Sequence, residues 1–209
     1  MKELQVIDFH THPYLSEEDF YCFYPESFVP SPTQCMEDVK RAGISHICGS
    51  VILRRKYQGG FDYIKECNDR AYEIKKIMGE FYTPGFHVHP DFVKESIEEI
   101  ELRHKQGFGL VGELVPYMHG WNDYSRKDLG SILDAAGHFR LPVSFHTVTN
   151  EQKEIDKMVE DHPDVTFIAA HPGDRNSSFC TWSVSKSMKT ITLTCRVPEY
   201  SVTVLSPTA

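Results

Sequence analysis

Val6-Ile7-Asp8-Phe9-His10-Thr11-His12-Pro13 is the stretch on which the fold turns. An apolar start leads into two histidines and stops at a proline. Residues i and i+2 of a strand share a face, so a strand ending here points His10 and His12 to one side. A doubly wound sheet that binds a dinucleotide wants a glycine-rich turn after its first strand. This turn holds no glycine. A parallel barrel, whose functional residues gather at the C-terminal ends of its strands, is the better fit.

Working outward, short runs rich in β-branched and aromatic residues alternate with longer stretches of helical period. Strands are expected at 4–9, 46–53, 81–88, 108–115, 141–145 and 165–170. Helices are expected at 33–42, 61–78, 92–105, 126–139 and 151–161. Gly43, Gly79 and Gly107 sit where helices should stop, and Ser125 and Asn150 where they should start. Strands separated by helices must pair in parallel. The expected class is α/β, a (β/α)8 TIM-type barrel of which about six βα units are present.

Composition bounds the partners. The 209 residues carry a formal charge of −8, with 40% hydrophobic and 25% charged residues. That balance argues against nucleic acid or an anionic membrane as main partner. Arg54-Arg55-Lys56 is the only short basic cluster, and it reads as a solvated loop. A small-molecule substrate suits this chain better, with a homo-oligomer left open. Residues 1–13 lack the apolar run of a signal peptide, and no stretch approaches the ~20 apolar residues of a membrane span. The six cysteines show no CxxC spacing and are expected as free thiols in the cytoplasm.

The other strand candidates end as the first one does. Strand four ends Leu110-Val111-Gly112-Glu113, strand five Val143-Ser144-Phe145-His146, and strand six Ile168-Ala169-Ala170-His171-Pro172-Gly173. Imidazole and carboxylate are the usual ligands of zinc and related divalent ions. One strand-end histidine is most often a structural residue. Four of them after three separate apolar runs point to a metal cage, with Glu113 able to bridge a second ion. His46, His104, His119, His138 and His162 fall in loops or helices and read as surface or capping residues. His87 and His89, ahead of Pro90, either line the mouth or serve the structure. His89 is a candidate substrate contact.

Asp8-Phe9-His10-Thr11-His12-Pro13 resembles the opening motif of the amidohydrolase superfamily. Gly112-Glu113, Phe145-His146-Thr147 and Ala170-His171-Pro172-Gly173 are similar to its fourth, fifth and sixth strand motifs, in the right order. The set is closest to the TatD-like and amidohydrolase-related branches and covers residues 4 to about 175. The resemblance implies His10, His12, Glu113, His146 and His171 as metal-site residues, holding one or two divalent ions, with zinc the expected metal. It implies a hydrolase that turns metal-activated water on an amide, ester, lactone or phosphoester. Related proteins that decarboxylate aromatic acids without oxidation are the alternative. The family also uses an aspartate after strand eight, and no match to it is found, so the proton-transferring residue is unassigned.

The chain departs from the pattern after Arg175. A complete barrel takes about 250 residues, and only 34 follow. Residues 176–209 hold one acidic residue, Glu199, no glycine and thirteen Ser or Thr. Two readings of this tail stand. One is a β-hairpin, 190–197 and 201–205 alternating with period two around Pro198-Glu199. The other is a frameshift, since codons for 179–206 can be chosen that, read one base earlier, encode a helix, a strand and a glycine-rich loop. A barrel stopped after strand six exposes the edges of strands one and six, an association hazard. On that reading the chain is truncated, prone to associate and inactive.

Overall fold

Local signals set the helix ends. The computed structural model describes residues 6–16, 19, 30–147, 152–170, 191–197 and 200–203. Ser31 caps α1 (Pro32–Arg41), its hydroxyl accepting the Gln34 N–H at 3.2 Å. Pro32 sits in the first turn, where no amide donor is required. Helix α2 (Asp62–Met78) stops at Gly79, and α3 (Val93–Lys105) stops two residues before Gly107. Helix α4 (Lys127–His138) corrects one expectation. Its N-cap is Arg126, because the Ser125 N–H donates instead to Asp123 Oδ1 at 2.7 Å in a turn ahead of the helix. Helix α5 spans Gln152–Asp161. Asn150 lies outside the described residues.

The strands are β1 (Val6–Thr11), β2 (Ile44–Gly49), β3 (Tyr82–Phe86), β4 (Leu110–Leu114), β5 (Val143–His146) and β6 (Phe167–Ala170). Each pairs in parallel with the next in chain order. This is the α/β class of the TIM-type barrel, incomplete in its βα units. Helices α2 and α4 each bury one stripe. Tyr63, Ile64, Cys67, Asn68, Ala71 and Ile74 of α2 fall at helical spacing. Leu129, Ile132, Leu133 and Ala136 do the same on α4. Each large apolar side chain buried this way contributes about 1.5–3 kcal/mol.

Two further strands close the ring. β7 (Ile191–Val197) runs parallel to β6, and β8 (Tyr200–Thr203) turns back antiparallel to β7. Thr203 pairs with Ile7 of β1, so the order β1 to β8 is a closed barrel. The edges of β1 and β6, expected to be exposed, are therefore paired. β-branched residues at alternate positions suit residues 190–197 to a ladder. Strand β2 ends at Gly49, four residues earlier than expected, which leaves Ser50 to Leu53 beyond the ladder at the barrel mouth.

Candidate metal centre

β1 carries His10 into the mouth, and His12 follows one residue past the strand. Their rings meet edge to face, 4.9 Å between centroids. Glu113 reaches the same point from β4 and is buried, 3% exposed. Its Oε2 lies 3.9 Å from His10 Nε2 and 3.4 Å from His12 Nε2. The ligand atoms of His10, His12 and Glu113 all fall within 4.8 Å of one another. His146, at the end of β5, takes the other carboxylate oxygen, with Nδ1 2.9 Å from Glu113 Oε1. Three of the expected ligands thus converge directly, and His146 joins through Glu113. His171 lies outside the described residues.

Backbone geometry explains why Glu113 can be there. Gly112 has φ 101°, and a Cβ on it would stand 2.2 Å from the Ser144 carbonyl oxygen of β5. Only glycine lets the two strands approach so closely just before the carboxylate.

The tautomers follow from the partners. His12 Nδ1 lies 2.9 Å from the Ser50 carbonyl oxygen, which can only accept, so Nδ1 carries the proton. Nε2, with the ring's lone pair, faces Glu113. Lone pairs of imidazole and carboxylate repel unless a proton or a cation stands between them, and this donor set suits a divalent cation. Burial pushes the Glu113 carboxyl up, yet the nearby His10, His12 and His146 outweigh it and hold it well below the usual carboxylate range. Burial lowers His12, but Glu113 accepts a hydrogen bond from the doubly protonated ring and favours its charge, which raises His12 overall. Asp8, two residues before His10 and also buried, is pushed up to about 6 by burial, although its Oδ1 accepts the His10 N–H at 3.0 Å.

A second group of histidines stands behind this centre. His87 is 1% exposed, its ring between the carbonyl oxygens of Val51 (2.8 Å) and Glu113 (3.1 Å). His89 is equally buried. Its Nε2–H donates to the His119 carbonyl at 2.8 Å, and its Nδ1 accepts the Asp91 N–H at 3.1 Å. Both ring nitrogens are thus engaged by main chain, and His89 supports the wall. His119, expected at the surface, is 2% exposed and packs 4.8 Å from the His87 ring. The loop after β4 folds back over the barrel end, and no local pattern announces that. Tyr117 in the same loop is 54% exposed and stands 5.4 Å from the His146 ring. Ser50 directly follows β2, at the strand-end position that picked out the histidines, but the histidine pattern does not mark it.

A family model described as amidohydrolase matches residues 7–176. The chain belongs to this amidohydrolase family. No curated protein sequence matches it. Solved structures do, among them a probable 2-pyrone-4,6-dicarboxylic acid hydrolase from Acinetobacter baumannii. That match has a TM-score of 0.57 and 13% identity, and covers 81% of this chain and 59% of that one. The 4-oxalomesaconate hydratase of Rhodopseudomonas palustris has a TM-score of 0.59 and 15% identity, covering 80% and 63%. The 5-carboxyvanillate decarboxylase of Novosphingobium aromaticivorans, solved with manganese, has a TM-score of 0.53 and 14% identity, covering 67% and 49%. At such identities the likeness establishes the barrel alone. The amidohydrolase chain spans less than two thirds of each of these three proteins.

Proposed function

We propose that this amidohydrolase is a metal-dependent hydrolase acting on an amide, ester, lactone or phosphoester of small size. One observation carries the reading: a buried carboxylate, Glu113, held ionised among His10, His12 and His146 at the strand ends. His10, His12 and Glu113 would hold a divalent ion. The two Glu113 oxygens face different imidazoles, which suits a carboxylate shared between two ions. His171 is proposed as a further ligand from its place after β6. A bound ion supplies Lewis acidity and brings the pKa of its water toward neutrality. The chain's own residues orient that site: Ser50 fixes the His12 tautomer, and Glu113 accepts from His146. Zinc is the proposed metal. Manganese, present in the Novosphingobium structure, is its rival. We assign the centre to residues 1–175, with 176–209 as a Ser/Thr-rich tail that supplies β7 and β8 to the ring.

A second activity, non-oxidative decarboxylation of an aromatic acid, is favoured by Tyr117. It offers an exposed aromatic face beside His146. Among the described residues, no helix is long and apolar enough to cross a membrane. A cytoplasmic site of action is proposed from the free thiols of Cys35, Cys48 and Cys67.

Metal content by elemental analysis, together with turnover of ester, lactone, phosphodiester and hydroxybenzoate substrates, tests these readings. The wild-type chain is expected to retain one or two divalent ions, and the His10→Ala/His12→Ala double variant none. Full metal retention by the double variant would refute the centre. Carbon dioxide release without hydrolysis, lost in Tyr117→Ala, selects the decarboxylase.

A further inference from the structure

Two ligand residues, His12 from β1 and Glu113 from β4, are tied to one residue that offers no ligand atom to the centre. Ser50 follows β2 and is fully buried. Its carbonyl oxygen accepts the His12 Nδ1–H at 2.9 Å. Its hydroxyl oxygen accepts the Glu113 N–H at 3.0 Å. The first bond turns His12 Nε2 toward Glu113, and the second fixes where the β4 backbone delivers the carboxylate. A buried N–H without an acceptor is costly, so this hydroxyl is the one that keeps Glu113 in register.

The opposite side of Glu113 meets a fixed neighbour. Its carbonyl faces His87 Nδ1 at 3.1 Å. The His87 backbone is gripped at two points by Asn68 of α2. The His87 N–H donates to Asn68 Oδ1 at 2.7 Å, and Asn68 Nδ2 donates to the His87 carbonyl at 3.0 Å. Asn68 Nδ2 also donates to Glu99 Oε2 at 3.0 Å. The main chain of Glu113 is therefore held at its N–H by Ser50, just past β2, and its carbonyl packs against the fixed His87 ring, just past β3.

We infer that Ser50 is a positioning residue, which sets the metal affinity of the centre by holding His12 and Glu113 in mutual register. The inference rests on the metal reading above. Hydrogen-bond partners of metal ligands typically account for about 10–100-fold in affinity, and Ser50 serves two ligands at once.

The test is titration of the metal-stripped full chain with Zn2+ and with Mn2+, alongside its thermal unfolding without metal. Ser50→Ala removes the hydroxyl that holds Glu113, keeps the carbonyl that holds His12, and should raise the dissociation constant about 10–100-fold. Ser96→Ala is the control. Ser96 is also fully buried, and its hydroxyl accepts the His89 N–H at 2.9 Å and donates to the His89 carbonyl at 3.0 Å. It should lower the metal-free melting temperature comparably and leave metal affinity unchanged. Ser50→Cys keeps a small side chain with a weak acceptor and should fall between wild type and Ser50→Ala; it carries the test if Ser50→Ala does not fold. Equal affinity in wild type and the Ser50 variants would overturn the inference, as would an equal loss in Ser96→Ala. A wild-type chain that binds neither ion overturns the metal reading itself.

Discussion

His87, His89 and His119 are kept neutral by their surroundings. Burial takes His87 down to about 4 and also lowers His89. Burial, then the neighbouring His87 and His89, takes His119 well below its ordinary value. For a base whose pKa is depressed on folding, the stability it contributes is complete above its unfolded value of 6.5. That stability is lost as pH falls toward the folded value. His87 alone accounts for about 3 kcal/mol over this window. Asp8 works the other way. Raised to about 6 by burial, it favours the fold while protonated and opposes it as pH rises through that value. The two offset each other in the wild type. Asp8→Asn should expose the histidine slope and lose about 2 kcal/mol more than wild type between pH 7 and 4.5, measured by urea denaturation. His87→Gln should lose less than wild type over the same range. Parallel pH curves for all three proteins would contradict this account.

At the scale of elements, α2 and α3 are joined by charge as well as apolar packing. Arg103 of α3 is 1% exposed. Its Nε donates to Glu99 at 2.7 Å, and its Nη2 to Asp69 of α2 at 2.6 Å. Glu99 in turn accepts from Asn68, so the cluster runs from the helix layer to the His87 backbone. Removing one partner of a buried ion pair leaves the other charge uncompensated in the interior. Arg103→Ala should therefore destabilise the fold by about 3–5 kcal/mol, and Asp69→Asn, at an exposed partner, by under about 1 kcal/mol. Chemical denaturation of the two variants checks this ranking. Equal effects would mean that the cluster contributes no more than a surface pair.

For the whole molecule, the closing of the ring is the feature that decides behaviour. β7 and β8 cover the free sides of β6 and β1. Residues 1–190 made without them should present two unpaired parallel edges and self-associate. Sedimentation velocity at several concentrations measures this. A monodisperse monomer of 1–190 would show that the two strands are dispensable. The complete chain, with both edges paired, should give the smaller species of the two.

The repeating pattern of the barrel was legible because its signals are local. Hydrophobic period, glycine stops and strand-end histidines are each written within ten or so residues, and observed and expected strands overlap throughout β1 to β6. His10, His12 and Glu113 could be picked out by strand parity and position alone. Their mutual geometry could not. The Glu113 N–H meets a hydroxyl 63 residues away in the chain, and His12 a carbonyl 38 residues away. Those meetings depend on the register of β1, β2 and β4, which packing around the ring sets. For the same reason His119 read as a surface residue: only the fold of the β4–α4 loop buries it. Ser/Thr alternation after residue 190 was compatible with a strand, but pairing with β1 is a property of the closed ring. The residue types that can bind metal are thus dictated locally. Which carboxylate oxygen faces which imidazole, and what holds it there, is decided by the long-range backbone contacts of the barrel.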